Sequence, residues 1–506
     1  MSASAGSTAY DAVRYPGKFY PQSSPERLAT LATLYGLTPA AVAHCRVLEL
    51  GCGDGGNLIP LAYHFPESRF LGVDLSATAI ERGRSVIAQL GLANIELRAL
   101  DIAALPSDVG SFDYIISHGV LSWVPEPVRE RMLEICARQL AAHGVVYLSY
   151  NTLPGGYVRA FARDLMRLQT DHITDPAHKT REARAAIELL LAAMPADRLE
   201  RELVRRTLVP YEGKDYFLFH DLLAEVHDPV YFLDFMEAAA AHGLQFISES
   251  IPASSRTAHL PEGVRRSLAA LPDRLRREQY LDFINARRFR QTVLCHSEHK
   301  LDLEVTPQRM ERLLIACAAK PVETDADLRS SARLEFRRGE AIFGFSQPIP
   351  KALFVVLAEH YPKSLRFSQL RECICVKLAM PAAELKLEDD ARLVQQLVSS
   401  FVNGMVELHV HPFECRREVS ARPTASALAR IQVEMGVPLV AADLTTFAVP
   451  DGLLRTLVSL LDGTRDFEGL LIELYARIGS AEHAGVNPEN LRRALELLAS
   501  RAILTG

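Results

Sequence analysis

Residues 46–54, RVLELGCGD, decide the fold of this chain. They begin as an apolar run that encloses one acid, Glu49, and they lead into the glycine-rich segment 51–56. An apolar run that ends in glycines before a helix-like segment is typical of a buried parallel strand that turns into a helix. Glycines let the backbone approach a ligand closely, and the helix N-terminus offers unpaired N–H groups. Taken alone, the stretch fits either a turn in an ordinary core or a cradle for a nucleotide-like ligand.

The composition is that of a globular protein with several domains. A chain of 506 residues is too long for one hydrophobic core, and its apolar content of 48% and charged content of 23% are ordinary. The net charge of −6 gives no overall attraction to nucleic acid or to anionic membranes. We find neither a membrane-spanning apolar run nor a signal-peptide pattern, so we expect a cytoplasmic protein without membrane contact. The eight scattered cysteines are expected to be free, buried thiols.

Strand-like and helix-like segments alternate after the opening stretch. Four further apolar runs of strand length lie at 69–75, 95–100, 112–117 and 144–150. This alternation predicts an open parallel α/β sheet, whose ligands bind at the carboxyl ends of the strands. Glycines and polar side chains fall at these predicted ends: Glu49 to Gly53, Asp74, Asp101, Ser117, His118, Tyr150 and Asn151. Their convergence predicts one ligand site at this edge of the sheet.

The motifs at these strand ends resemble those of a known family. ELGCGDGGN at 49–57, VDLS at 73–76, ALDI at 99–102 and FDYIISHGVLSWVP at 112–125 resemble the successive motifs of class I S-adenosylmethionine-dependent methyltransferases. Segment 51–56 also matches the G-x-G-x-x-G pattern of dehydrogenases. The acid before the glycines and a second acid after the third strand favour the methyltransferase. The resemblance implies S-adenosyl-L-methionine as cofactor, no metal, and a seven-stranded sheet whose last strand is antiparallel.

The resemblance also implies roles for individual residues. In the family, the acid at Glu49 lies beside the methionine end of the cofactor and the acid at Asp101 lies beside the adenine. Asp74 follows Gly53 by 21 residues, which suits contact with the two ribose hydroxyls. The residues expected to bind the cofactor are Tyr15, Glu49, Gly51, Cys52, Gly53, Asn57, Asp74, Leu75, Asp101, Ile102, Ser117 and His118.

The acceptor is expected on the far side of the transferred methyl group. The predicted catalytic residues are His118, Trp123, Tyr150 and Tyr157, and Tyr15 is a further candidate wall of the acceptor channel. If the acceptor is a lysine, an aromatic and partly desolvated channel would lower the pKa of its amine. His118 is a general base or a structural loop histidine, and Trp123 is a substrate contact or a core aromatic.

The middle of the chain resembles the methyltransferase regulatory domain that follows certain bacterial methyltransferase cores. The matching stretches include FHDLL at 219–223, DPVYF at 228–232, GLQF at 243–246 and EQY at 278–280. We expect the sixth strand at 244–247 and the seventh at 289–295, after two helical insertions. Two side chains in these stretches, Asp221 and Tyr280, are expected to be structural.

We divide the chain into five parts. Residues 1–45 form an N-terminal aromatic segment and helix, which packs in the core or closes as a lid. The other parts are a cofactor-binding core at 46–156, helical insertions and the regulatory region at 157–298, a winged-helix-like module at 299–432 and a helical module at 433–506. The expected fold class is therefore α/β, a Rossmann-like seven-stranded methyltransferase core with helical insertions, followed by α+β winged-helix-like and helical modules.

The C-terminal half carries no catalytic set. We expect helices at 306–319, 349–360 and 382–403 and a strand at 406–410. Winged-helix folds bind DNA or proteins, and because no basic stripe is present, nucleic acid is not expected. His409, His411 and Cys415 have the side chains of metal ligands but are expected to be structural.

The two-part arrangement and the Tyr-Asp segment near the N-terminus resemble rickettsial-type bacterial protein lysine methyltransferases. This resemblance implies N-methylation of lysine side chains of a protein substrate, by an enzyme expected to be a homodimer. The first alternative is a small-molecule methyltransferase whose insertions form a lid. The second is a non-catalytic scaffold that binds the cofactor and recruits a partner.

Overall fold

The computed structural model describes residues 9–413, 418–450, 452–478 and 486–505, and Cys415 lies outside them. A seven-stranded sheet organises the first 300 residues. Its strands are β1 Arg46–Leu50, β2 Arg69–Asp74, β3 Ile95–Ala99, β4 Phe112–Ser117, β5 Leu140–Asn151, β6 Leu244–Glu249 and β7 Phe289–His296. The order is β3-β2-β1-β4-β5-β7-β6. Strands β1 to β5 are parallel and β7 is antiparallel to both of its neighbours. The expected Rossmann-like methyltransferase sheet is confirmed.

Helices cover this sheet because its central strands are apolar on both faces. Strand β1 is buried at all but its first residue. The helices of this half are α1 Ala9–Ala12, α2 Pro25–Leu34, α3 Leu58–His64, α4 Ala77–Leu90, α5 Glu126–Arg138, α6 Gly156–Thr170, α7 Pro176–Ala193, α8 Leu199–Leu208, α9 Asp215–Leu222, α10 Phe232–Ala241, α11 Glu262–Ala269 and α12 Arg274–Ile284. Helix α4 begins at Ser76, whose side chain caps Ala79 N, and ends at Gly91 in the left-handed conformation.

The insertion between β5 and β6 has a small hydrophobic core of its own. Helices α6 to α9 enclose it, with Met166, Ile187 and Leu218 fully or almost fully buried. Backbone hydrogen bonds attach the end of the insertion to the core: Asp228 N donates to Ser122 O in the turn after β4 at 2.9 Å, and Val230 N donates to Asn151 O of β5 at 3.2 Å. Because α6 starts directly after β5, the insertion stands beside the carboxyl ends of the strands.

The C-terminal half combines short strands with helices. The strands are β8 Leu314–Ala316, β9 Lys320–Pro321, β10 Leu334–Arg338, β11 Ala341–Phe345, β12 Glu407–His409, β13 Leu439–Val440 and β14 Thr446–Phe447. The helices are α13 Pro307–Met310, α14 Pro348–His360, α15 Phe367–Lys377, α16 Leu387–Val402, α17 Ala427–Met435, α18 Leu453–Leu460, α19 Phe467–Arg477 and α20 Pro488–Ser500.

The expected helix at 306–319 is wrong. Only Pro307–Met310 is helical, and β8 follows and pairs with β12 in the antiparallel direction. The apolar run around Ile315 is buried on both sides, and a short run of that kind does not distinguish a helix from a buried strand. Pairing with residues about 90 positions later decided the outcome.

Helix α2 joins the two halves of the chain. Its residue Glu26 is buried and accepts a hydrogen bond from Val410 N at 3.0 Å. His409 Nδ1 lies 3.3 Å from the same carboxylate, and Glu407 approaches the other ring nitrogen. Burial lowers the pKa of His409, but the two carboxylates outweigh it and raise that pKa to about 9. His409 is therefore a half-buried cation that ties the C-terminal half to α2.

None of the described helices combines the length and apolar character needed to cross a membrane. Across the same residues, we find no group of three or more histidine, cysteine or acidic side chains placed to hold a metal ion. The described cysteines are free thiols, and all but Cys373 are buried.

Candidate functional site

The glycine turn after β1 leaves open space above its backbone. Gly51 and Gly53 both have positive φ, at 75° and 56°. Gly51 N and Cys52 N are held by Val73 O of β2, and the thiol of Cys52 is buried. A Cβ on Gly51 would lie 2.3 Å from a methyl carbon of Val120, whereas a Cβ on Gly53 would meet nothing within 4 Å. The backbone at Gly53 therefore borders an open cradle.

Glu49 places a carboxyl group with an unsatisfied oxygen beside this turn. Its side chain is 3% exposed, and Oε1 accepts a hydrogen bond from Asn57 Nδ2 at 2.9 Å. Oε2 has no hydrogen-bond partner among the described residues. Burial, with a smaller contribution from Asp74, raises the pKa of Glu49 to about 8. A buried carboxyl of this kind is costly unless a ligand pairs with it.

The ends of β2 and β3 carry the next two predicted residues. Asp74 accepts hydrogen bonds from Gly53 N at 2.8 Å and Ser76 N at 2.9 Å, which fixes its carboxylate beside the glycine turn. Leu75 is 51% exposed beside it. Asp101 is exposed and caps a short 3₁₀ turn through Ala103 N, and Ile102 in that turn is buried. The structure thus brings both acids to the same edge of the sheet.

The N-terminal aromatic segment lies across this edge. Gly17 packs so closely on the turn that a Cβ there would lie 1.8 Å from an oxygen of Asp54. Tyr20 N donates to Asn57 Oδ1 at 3.0 Å, and the Tyr20 ring stacks on His118 with centroids 3.7 Å apart. Sequence reasoning did not select Tyr20 as a site residue. The sequence feature that could have pointed to Tyr20 is the high density of aromatic residues in this segment, but that density does not distinguish one tyrosine from another.

His118 lies in an aromatic stack and not at an open position. Its Nδ1 is 2.8 Å from the hydroxyl of Tyr147, and Phe289 approaches its ring edge-on. Burial lowers the pKa of His118 to about 3. A histidine with that pKa is neutral at pH 7 and a weak base, so the geometry favours a wall of the site over a general base.

The remaining predicted residues divide into three groups. Ser117 is buried and donates to Leu50 O at 2.9 Å, which links β4 to β1. The ring of Trp123 packs at a tilt against His227 of the insertion, with centroids 4.8 Å apart, and Tyr157 is 56% exposed with its hydroxyl 3.1 Å from that of Tyr231. Tyr15 meets helix α9, where its ring contacts those of Tyr216 at 5.9 Å, Phe217 at 6.3 Å and His220 at 5.6 Å.

Tyr150 is the predicted residue that the structure does not bring to the site. It is 1% exposed, its hydroxyl lies 3.0 Å from Thr292 Oγ1, and its ring packs on Phe235 at 4.2 Å. Successive side chains of a strand point to opposite faces, and Tyr150 lies on the face opposite Tyr147 and Ser149, which contact His118.

These features fit a cationic, ribose-containing ligand. The turn at Gly53 offers backbone beside open space, and Glu49 offers an unpaired buried oxygen for a positive charge. Asp74 and Asp101 stand at the next two strand ends, where the two ribose hydroxyls and the base of a bound nucleoside lie in open α/β sheets.

Two family models match the sequence. One, described as a methyltransferase domain, matches residues 47–144, and one, described as a predicted methyltransferase regulatory domain, matches residues 214–296. The uncharacterized protein RP789 of Rickettsia prowazekii is 34% identical over 370 residues, which are 71% of this chain and 67% of that protein. RP028 of the same organism is 32% identical over 242 residues, which are 46% of this chain and 93% of that protein.

Among solved structures, PKMT2 of Rickettsia typhi in complex with AdoHcy resembles this chain along its whole length. The TM-score is 0.84 at 25% identity, over 97% of this chain and 100% of that chain. AdoHcy is what S-adenosyl-L-methionine becomes when it gives up its methyl group, so S-adenosyl-L-methionine is the cofactor. The chain belongs to the class I S-adenosylmethionine-dependent methyltransferases that carry a methyltransferase regulatory domain, the family of these rickettsial proteins.

Proposed function

We propose that this enzyme N-methylates lysine side chains of a protein substrate. The observation that carries the proposal is the match to PKMT2 over nearly the whole chain, insertion and C-terminal half included. The stacked rings of Tyr20 and His118 beyond the end of β4, and the packing of Trp123 on His227 of the insertion, support it as well. An aromatic, partly dehydrated site lowers the pKa of an amine and tolerates its positive charge.

We assign the cofactor contacts to the residues at the first three strand ends. Glu49 holds the methionine end, and Asn57 orients Glu49 while it also fixes Tyr20. The backbone at Gly51 and Gly53 lines the cradle, Asp74 holds the ribose, and Asp101, Leu75 and Ile102 hold the adenine. When bound, S-adenosyl-L-methionine supplies an electrophilic methyl group on a sulfonium.

The acceptor assignment is tested by labelling. The enzyme is incubated with S-adenosyl-L-methionine that carries an isotopically labelled methyl group and with bacterial extract, and proteins and metabolites are analysed separately by mass spectrometry. Label on lysine side chains of proteins is the expected result. Label found only in small molecules would refute the lysine acceptor and support a small-molecule methyltransferase. Binding without any labelled product would support a scaffold.

The cofactor assignment is tested by calorimetry. Hydrogen bonds to charged groups contribute about 1.5–3 kcal/mol, so Asp74→Ala and Asp101→Ala should each weaken binding about 10- to 150-fold. Asp108→Ala, at a nearby exposed loop position, is the control. Unchanged affinity in both site variants would overturn the assignment. We further propose a cytoplasmic homodimer, for which sedimentation should give about twice the chain mass of 56.0 kDa.

A further inference from the structure

A carboxylate from the regulatory region reaches the carboxyl edge of the sheet. Asp221 lies near the end of α9, and its side chain is 14% exposed. Arg159 of α6 connects it to the sheet: Nη1 donates to Asn151 Oδ1 at 3.1 Å and lies 4.0 Å from Asp221 Oδ2. Asn151 ends β5, next to the strand that leads into His118. Asp221 is therefore two contacts away from the end of β5, although it lies 70 residues beyond that strand.

One aromatic side chain contacts this carboxylate, and others pack on the same helix. Tyr211, just before α9, donates its hydroxyl to Asp221 Oδ2 at 3.3 Å. Tyr15 packs edge-on against Tyr216 in the first turn of α9. Burial, with smaller contributions from the charges of Glu49 and Asp221, raises the pKa of Tyr20 to about 12. His220, the neighbour of Asp221 on α9, contacts the ring of Tyr15 at 5.6 Å, and its Nε2 lies 2.7 Å from Val13 O, so the N-terminal segment packs on α9 beside Asp221.

The surroundings of Asp221 are incomplete for a buried anion. A guanidinium that is hydrogen-bonded to a carboxylate lies about 2.7–2.9 Å from it. Arg159 Nη1 is 4.0 Å from Asp221 Oδ2, because the same nitrogen donates to Asn151 Oδ1. Asn151 itself is 5% exposed, and its Nδ2 has no partner among the described residues. Burial raises the pKa of Asp221 to about 6, which still leaves it ionised at pH 7. A cation that enters between the rings would pair with this carboxylate and contact aromatic faces.

We propose that Asp221, with Tyr211, binds the methyl acceptor in its ammonium form, before the amine loses its proton. This inference rests on the proposed lysine acceptor and adds the residue that recognises its charge. It makes the regulatory region part of the acceptor site, which is incomplete without α9. The same carboxylate would hold a mono- or dimethylammonium, which keeps its charge and gains contact with the rings.

The test measures binding of a lysine side chain separately from turnover. The full-length enzyme is saturated with AdoHcy, and Nα-acetyl-L-lysine amide is titrated by calorimetry or by ligand-observed NMR. Nα-acetyl-L-norleucine amide, which lacks the ammonium, is the matched neutral probe. Asp221→Asn should weaken lysine-amide binding at least tenfold and leave norleucine-amide binding and AdoHcy affinity within twofold. Asp221→Glu should restore part of the loss.

The control variant is Asp215→Asn, at the start of the same helix, where the side chain is 71% exposed and pairs with Arg184. It should change none of these affinities. Lysine-amide binding that is equal in Asp221→Asn and wild type, or equal for the two probes in wild type, would overturn the inference. If the labelling experiment finds no methyl-lysine but Asp221 still controls lysine-amide binding, the acceptor proposal fails and the ammonium site stands. If methyl-lysine is found and Asp221→Asn binds normally, the ammonium site alone fails.

Discussion

Glu49 should release a proton when the cofactor binds. In the free protein, burial and Asp74 raise the pKa of Glu49 to about 8, so the carboxyl is about nine-tenths protonated at pH 7. A cationic ligand at the unpaired Oε2 favours the ionised form. Binding at pH 7 should therefore release about 0.9 proton from this group, and at pH 9 only about 0.1.

The assay is calorimetry of S-adenosyl-L-methionine binding in two buffers with different ionisation enthalpies. The difference in observed enthalpy gives the number of protons released. Glu49→Gln is the matched variant, because its amide oxygen can still accept the hydrogen bond from Asn57. At pH 7 the wild type should release about 0.9 proton more than the variant, and at pH 9 the difference should almost vanish. Equal release by both proteins at both pH values would refute the reasoning.

The same shift predicts how Glu49 affects stability. A carboxyl whose pKa rises from 4.5 to about 8 on folding carries no penalty well below pH 4.5. The penalty grows as pH rises, to about 3 kcal/mol at pH 7 and about 5 kcal/mol above pH 8. Ligand-free Glu49→Gln should therefore be more stable than wild type by about 3 kcal/mol at pH 7 and by less than about 1 kcal/mol at pH 5. Because the chain has several hydrophobic cores, it can show more than one unfolding transition. The transition to compare between the ligand-free proteins is the one that added AdoHcy shifts, since that transition belongs to the cofactor-binding core.

Three further predictions concern the N-terminal segment and the link to the C-terminal half. Gly56→Ala puts a Cβ 2.6 Å from the backbone of the N-terminal segment, so the cofactor affinity measured by calorimetry should fall at least tenfold. Gly263→Ala is the control and should not alter that affinity, because its Cβ meets nothing within 4 Å. Tyr20→Ala should lower kcat, whereas Tyr20→Phe should retain most of it, because phenylalanine keeps the ring that stacks on His118. Equal losses of kcat in the two variants would contradict a packing role for Tyr20. His409→Gln removes the cation that pairs directly with Glu26 and should cost about 3–5 kcal/mol. Folding raises the pKa of His409 from 6.5 to about 9, so protonated His409 stabilises the folded protein fully below pH 6.5 and loses that effect as pH rises through 9. The melting temperature of the wild type should therefore fall over this pH range, and that of the variant should not show this fall.

The strand-end motifs predicted the fold and the cofactor because they are local. Glu49 and the glycine turn directly follow or end one strand, and Asp74 and Asp101 lie at the ends of the next two. Each motif therefore indicates its position in a parallel sheet without information from distant residues. The late strands at Leu244–Glu249 and Phe289–His296 were also predictable, since each keeps a strand pattern whatever is inserted between them.

Other features depend on residues that are far apart in the chain. Strand β8 was predicted as a helix because its apolar run is ambiguous until β12 pairs with it. Tyr150 lies at the strand end where an aromatic site residue was predicted. Because side chains alternate between the two faces of β5, its ring points into the core. Asp221 was expected to be structural, and the role proposed for it depends on the packing of α9 against the N-terminal segment, which its motif does not predict.

The sequence by itself determined the class of enzyme, its cofactor and the sheet edge where the cofactor contacts were expected. It did so because the motifs after β1, β2 and β3 each combine a strand with the residues that follow it directly. Only the tertiary structure decided which distant residues come together beyond the cofactor motifs. Tyr20 reaches His118 across 98 positions and Asp221 reaches the end of β5 through Arg159, and contacts between such distant residues leave no periodicity in the chain.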